Sequence, residues 1–127
     1  MKTILKAKIH RATVTDADLN YEGSITLDED LLRAADLLPF EQVHIWNVTK
    51  GTRFITYTML GGKGTGEVVI NGAAAHLANK GDIIIIAAFD TFSEEELIHH
   101  HPRLIYVDEK NRIISQKTPE LKLTVSN

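Results

Sequence analysis

Residues 83–89 read Ile-Ile-Ile-Ile-Ala-Ala-Phe, an unbroken apolar run. Four consecutive β-branched residues favour an extended backbone over a helix. The run is far too short to cross a bilayer, which takes about 20 apolar residues as a helix. It therefore predicts a strand buried on both faces, and such a strand needs partner strands at its edges and cover above and below. The rest of the chain has to supply them.

Short alternating stretches do so. Thr3–His10 reads as a strand, and Arg11–Thr15 continues its β character. Asp16-Ala17-Asp18 reads as a turn, and Ser24–Leu27 as a short strand. Asp28 is a helix N-cap with Glu29 and Asp30 in the first turn, and Leu37-Leu38-Pro39 ends that helix. Gln42–Val48, with the single tryptophan Trp46, and Arg53–Leu60 form strands around a Lys50-Gly51 hairpin turn. Residues 61–66 read as a flexible glycine-rich hairpin, followed by a strand over Glu67–Ile70. A turn at Asn71-Gly72 leads into a small-residue helix ending at Ala78. Ser93 caps a short acidic helix, Glu94–Ile98. Arg103–Val107 and Arg112–Ser115 form a hairpin, and Leu121–Val125 is a last extended stretch. Many short strands with two or three short helices predict a small, mainly β barrel.

With 127 residues and no linker, low-complexity segment or repeat, the chain reads as one domain with a real core. The net charge of -3 and sparse aromatics argue against a nucleic-acid partner. The absence of cysteine excludes thiolate nucleophiles, disulfides and cysteine-ligated metals, and fits a reducing compartment. No long apolar segment follows the lysines at positions 2, 6 and 8, so neither a secretory signal nor a membrane partner is expected, and a cytoplasmic location is.

Local motifs alone say little about chemistry. Gly61–Gly66 lacks the leading spacing of a phosphate loop, and a strand rather than a helix follows it. His99-His100-His101 point in different directions and have no partner at a ligand spacing, so no metal site is expected. Lys8, His10 and Arg53 are charged or polar residues in strands, which usually face water. Tyr21-Glu22-Gly23-Ser24 is the unusual stretch. Its glycine can take backbone angles closed to other residues and leaves its carbonyl uncrowded. The serine hydroxyl can reach back to that carbonyl, within a frame of flanking strands.

Several blocks in order carry a specific likeness. His10-Arg11-Ala12-Thr13-Val14-Thr15 leads to Tyr21-Glu22-Gly23-Ser24, then Ile45-Trp46-Asn47-Val48-Thr49, Gly51-Thr52-Arg53-Phe54, Thr56-Tyr57, Asn71-Gly72-Ala73-Ala74-Ala75-His76 and Gly81-Asp82. From about Lys8 to Phe89 the chain resembles the pyruvoyl-dependent aspartate 1-decarboxylases. The part after Ser93 matches poorly, and Gly64-Thr65 stands where Gly-Ser is more usual.

The resemblance implies a double-psi β-barrel, a homotetramer with active sites between subunits, and a proenzyme that cuts itself between Gly23 and Ser24. The products would be chains 1–23 and 24–127. Thr56 would support the Gly23 carbonyl during the cut, and Ser24 would become a covalent pyruvoyl group. Through a Schiff base to that group, L-aspartate would lose its α-carboxylate to give β-alanine and carbon dioxide, for pantothenate and coenzyme A synthesis. Tyr57 would protonate the α-carbon. Lys8, Arg53, Thr56, Gly72, Ala73 and Ala74 would bind substrate, with the backbone amides of residues 72–74 near a helix start. His10, Tyr21, Trp46 and Asn71 would shape the pocket. Some relatives need an activating protein, so a maturation factor is a further partner the likeness allows. The competing reading is a non-catalytic small barrel that binds a ligand or peptide.

Overall fold

The computed structural model describes residues 1–122. Its nine strands are β1 (Lys2–Thr13), β2 (Asp16–Asp18), β3 (Ser24–Leu27), β4 (Gln42–Asn47), β5 (Arg53–Leu60), β6 (Val68–Asn71), β7 (Ile83–Phe92), β8 (Arg103–Val107) and β9 (Ile113–Lys117). Two short helices, α1 (Glu29–Ala34) and α2 (Glu94–His99), and a 3-10 helix over Gly72–His76 complete it. The mainly β expectation holds. Among the described residues no helix is long and apolar enough to cross a membrane.

The strands follow the order β2-β6-β3-β5-β4-β7-β1-β8-β9. Because β1 runs on into β2 through Val14 and Thr15 alone, strands far apart in that order are neighbours in the chain. The sheet must therefore curl round on itself. The Val14 N–H bonds the Asp82 carbonyl at 2.9 Å and the Thr15 N–H bonds the Val68 carbonyl at 2.8 Å, which ties the seam. Ile9, Ile25, Leu27, Leu31, Ile45, Ile70, Ile84, Ile86 and Ile105 fill the interior. They come from alternate positions of six strands and from α1, as the two-residue period of a half-buried strand requires.

Helix capping follows the local sequence. Asp28 accepts from the Asp30 N–H at 2.8 Å, and Ser93 and Glu96 form a capping box at the start of α2. Asp28 reaches further, accepting from Gly64 N–H at 2.9 Å and Gly66 N–H at 2.8 Å. One buried carboxylate thus holds the glycine-rich loop against α1.

Four expectations change. Asp16–Asp18 is a strand rather than a turn, because it pairs in parallel with β6, 53 residues on in sequence. The loop at residues 61–66 is no hairpin: β3 lies between β5 and β6, so the loop crosses over it. The helix expected from Ala73 through Ala78 is a five-residue 3-10 helix. The run at 83–89 is not covered on both faces, since Ile83 and Ile85 are half-buried and Phe89 is exposed. Most of the stretch at Leu121–Val125 lies outside the described residues, and Leu121 and Lys122 have no regular structure.

Candidate active site

Ser24 is the first residue of β3 and is 1% exposed, directly after the exposed Gly23. Across the sheet it pairs with Asn71. The Asn71 side-chain amide donates to Ser24 Oγ at 2.9 Å and to Thr26 Oγ1 at 3.0 Å. Ser24 and Thr26 share a face because they stand two residues apart, so one amide fixes both hydroxyls. Thr26 was not singled out from the sequence, although that spacing from Ser24 was a usable signal.

Gly23 does not have the positive φ that would require glycine, and a Cβ built there meets nothing within 4 Å. The conformational argument belongs to Gly72 instead. Its φ is +71°, and a Cβ there would lie 2.7 Å from both Gly23 Cα and Gly23 N and 3.0 Å from the Tyr21 carbonyl oxygen. Glycine at 72 lets the Tyr21–Gly23 backbone lie directly on the start of the 3-10 helix. Tyr21 itself is exposed, as is Ala73, whereas Ala74 is half-buried.

Thr56 and Tyr57 stand on β5, the parallel neighbour of β3. Ile25 pairs with Thr58 and Leu27 with Leu60. The same offset carried back one residue sets Ser24 level with Tyr57, and Gly23 precedes the strand. Ile25 and Thr58 both face the interior. Ser24 and Tyr57, one step on, therefore face outward together, while Thr56 turns inward and is half-buried.

The remaining residues form a second group on the same outer face. Trp46 pairs with Arg53, whose guanidinium lies over the indole 5.5 Å from its centroid. His44, Trp46, Arg53, Phe54 and Ile55 line an open hollow of about 440 Å³. Lys8 pairs with Ala87 on β7 and Leu104 on β8. The His10 ring packs edge-on against Tyr106 with centroids 5.6 Å apart. Burial, then the charges of Lys8 and Arg11, lowers the His10 pKa below its ordinary 6.5, and His10 Nδ1 has no hydrogen-bond partner among the described residues. The imidazole is therefore neutral at pH 7.

The two groups stand on different strands. Lys8 is on β1, four strands from Ser24 in the order β3-β5-β4-β7-β1. Arg53 is four residues before Tyr57, about 13 Å along β5, and leans toward β4, away from β3. The outer face between them is mixed: Ile55 is 58% and Phe40 71% exposed, beside exposed Gln42 and half-buried His44.

A pyruvoyl group would be covalent, so the test of fit concerns Ser24 itself. Its buried, oriented hydroxyl follows an exposed glycine whose backbone is pinned by Gly72. The residues present fit a group made in place at the start of β3. The expected metal-free site is not tested by geometry; among the described residues no cluster of three or more His, Asp or Glu side chains could hold an ion.

The family model described as Aspartate decarboxylase matches residues 1–114. The likeness thus runs beyond Phe89 and takes in β8, which the motifs did not reach. Proteins named Aspartate 1-decarboxylase share 53% identity over 112 residues in Legionella pneumophila (strain Lens), covering 88% of this chain and 84% of the relative. The Myxococcus xanthus (strain DK1622) protein shares 50% over 120 residues, 94% of this chain and 92% of its own. The Dehalococcoides mccartyi (strain CBDB1) protein shares 54% over 114 residues, 90% and 92% respectively. Matched over nearly its whole length and at this identity, the chain belongs to the aspartate decarboxylase family.

Proposed function

We propose that the chain is an aspartate 1-decarboxylase that matures by cutting its own backbone between Gly23 and Ser24. The observation that carries this reading is the Ser24 hydroxyl, buried and held by Asn71 one bond beyond an exposed glycine, in a chain matched to the family over residues 1–114.

Maturation uses the chain's own atoms. Ser24 Oγ adds to the Gly23 carbonyl carbon, and the Gly23–Ser24 C–N bond breaks as the acyl group moves to oxygen. Thr56, beside Tyr57 on β5, donates to the developing oxyanion in this reading. Loss of the Ser24 α-proton expels the Gly23 carboxylate and leaves a double bond. Water then replaces the nitrogen, releasing ammonia and leaving a ketone at the new N-terminus. Chains 1–23 and 24–127 result. Asn71 holds Oγ in one rotamer throughout the first step.

The pyruvoyl ketone supplies the electron sink that ordinary side chains lack, taking the substrate amine and the electrons freed with carbon dioxide. Tyr57, on the same face as Ser24, delivers a proton to the substrate α-carbon as general acid. Arg53 offers a bidentate fork and Lys8 a point charge to the two carboxylates of L-aspartate. Gly72, Ala73 and Ala74 border the Ser24 end of the pocket, and His10, Tyr21 and Trp46 shape its walls. We place the reaction in the cytoplasm, as a supply of β-alanine for pantothenate and coenzyme A.

The Ser24–Tyr57 group and the Lys8–Arg53 group stand on different parts of the outer face of one chain. A second copy that presents its Lys8 and Arg53 to the first copy's Ser24 would join them, and we read the enzyme as a homotetramer with shared sites. Intact-mass analysis of purified protein, with and without cell lysate, tests the cut and separates spontaneous maturation from an assisted one. A β-alanine assay follows. Protein that stays as the uncut chain in both samples and releases no carbon dioxide from aspartate sinks the reading. Co-expression of Ser24→Ala with Arg53→Ala tests the shared site: at aspartate well below the raised KM, mixed assemblies should exceed the activity of either variant alone, and no gain would place the whole site in one chain.

A further inference from the structure

Phe40 is the most exposed aromatic side chain with a strained backbone. It lies between α1 and β4 with φ of +70°, in the left-handed region that bulky residues avoid, and is 71% exposed, so burial does not offset that strain. What holds it is Thr58. The Phe40 N–H donates to the Thr58 carbonyl at 2.7 Å, and the Thr58 N–H donates to the Glu41 carbonyl at 3.0 Å. Thr58 Oγ1 donates to the Leu38 carbonyl at 2.6 Å and accepts from the Glu41 N–H at 3.3 Å. Glu41 Oε1 accepts from the Leu38 N–H at 3.0 Å, while its Oε2 meets Lys6 Nζ at 2.6 Å. The turn at residues 38–41 is thus clamped to a fully buried threonine.

Thr58 is the residue after Tyr57. The clamp lays the Phe40 ring on the Tyr57 ring, with centroids 6.2 Å apart and planes 28° from parallel. A tyrosine on an outward sheet face otherwise has several rotamers open to it, whereas a general acid has to stay within hydrogen-bond reach of one carbon. We infer that Phe40 is a positioning residue, held in a strained turn so that its ring keeps the Tyr57 phenol in the rotamer from which it delivers the proton. This rests on the reading of Tyr57 as the proton donor.

Phe40→Gly removes the ring and relieves the positive φ, so it should fold. Phe40→Tyr keeps the stack. The first readout uses the uncut Ser24→Ala background, in which no ketone is needed. Carbon-labelled tyrosine gives signals from three residues, and Tyr57→Phe assigns the one in question. Phe40→Gly should move the Tyr57 ring signals toward free-tyrosine values and leave those of Tyr21 and Tyr106 in place. In the mature enzyme Phe40→Gly should cut normally and lose about threefold to tenfold in kcat, the span an aromatic pair commands, with KM within about twofold. Phe40→Tyr should restore the rate. Unmoved Tyr57 signals, an unchanged kcat, or a loss that Phe40→Tyr does not rescue would overturn the inference. So would a change in assembly size, which would make Phe40 a subunit contact. A native rate in Tyr57→Phe would remove the donor reading, and the positioning role with it, whatever the ring signals show.

Discussion

Replacing Gly72 with alanine should separate folding from maturation. The new Cβ would sit 2.7 Å from Gly23 Cα and N, both backbone atoms that no side-chain rotation can clear. To reach the 3.4 Å at which ordinary contact begins, the Gly23 backbone must retreat by about 0.7 Å. Alanine must also adopt φ of +71°, at roughly 1–2 kcal/mol for an L-residue. The barrel core is untouched, so the variant should fold with a stability loss of about 2 kcal/mol. The self-cleavage geometry suffers more. A displacement near 1 Å at a reacting centre costs up to about a hundredfold, and the atom displaced belongs to the residue whose carbonyl Ser24 attacks in the proposed cut. We expect maturation to slow by roughly tenfold to a hundredfold. The assay is a time course of intact mass, following chain 1–23 as it appears, beside a thermal melt of the uncut chain. Gly23→Ala is the control for stability: with open space around its Cβ and no positive φ, it should melt within about 0.5 kcal/mol of the parent or slightly above it. Native-rate maturation of Gly72→Ala would show that the Gly23 backbone does not depend on residue 72.

Ser24→Ala should give only the uncut chain, with stability within about 1 kcal/mol of the parent because Asn71 keeps its bond to Thr26; a cut at the same bond, seen by mass, would remove Ser24 from the reaction. Arg53→Ala should mature normally and raise KM for aspartate by about tenfold to a hundredfold, the loss expected for hydrogen bonds to a charged group; an unchanged KM would count against its role. Acid stability should depend on Asp28 and Asp82. Burial works against both carboxylates, but at Asp28 the N–H donors of Asp30, Gly66 and Gly64 outweigh it, and at Asp82 those of Asn79 and Asn47 with Lys50 do. Both folded pKa values lie below the ordinary 3.8, so the folded state binds fewer protons there. Their stabilisation is present above pH 3.8 and is lost as the pH falls through the lower folded values. Melting temperatures between pH 7 and pH 3 should drop at the acid end, and a parallel drop in Asp82→Asn would refute the part given to Asp82.

Where periodicity and punctuation agree, the sequence reads almost directly into structure. Arg53–Leu60 is β5 to the residue, and Asp28 and Ser93 cap the helices expected of them. Errors gather where a distant partner decides. Nothing within Asp16-Ala17-Asp18 announces a strand, because its pairing with Val69–Asn71 exists only once β6 is in place. The loop at 61–66 has hairpin composition, yet the insertion of β3 between β5 and β6 is a property of topology. The site shows the same division. The order of its blocks was legible through likeness to a family. The close approach of residue 72 to Gly23 was not, because a positive φ and a backbone contact leave the same letter, Gly, as any turn does. Phe40 carried no signal either, since its strain and its contact with Tyr57 both come from Thr58, eighteen residues on.

The uncovered face of β7 and the division of the proposed site have one origin. A run such as Ile83–Phe89 is written for burial on both sides, and the barrel interior covers one of them. The other side is continuous with the sheet face that carries His44, Trp46, Arg53, Ile55 and Tyr57. Apolar surface of that extent is unfavourable in water at about 25 cal/mol per Å², so a second copy laid there would be stabilised by its removal. The same docking would carry the Lys8 and Arg53 of one copy toward the Ser24 of another. Assembly and substrate binding would then draw on one surface, and a charge placed at Ile55, 58% exposed in the single chain, would disturb both together while leaving the uncut barrel folded.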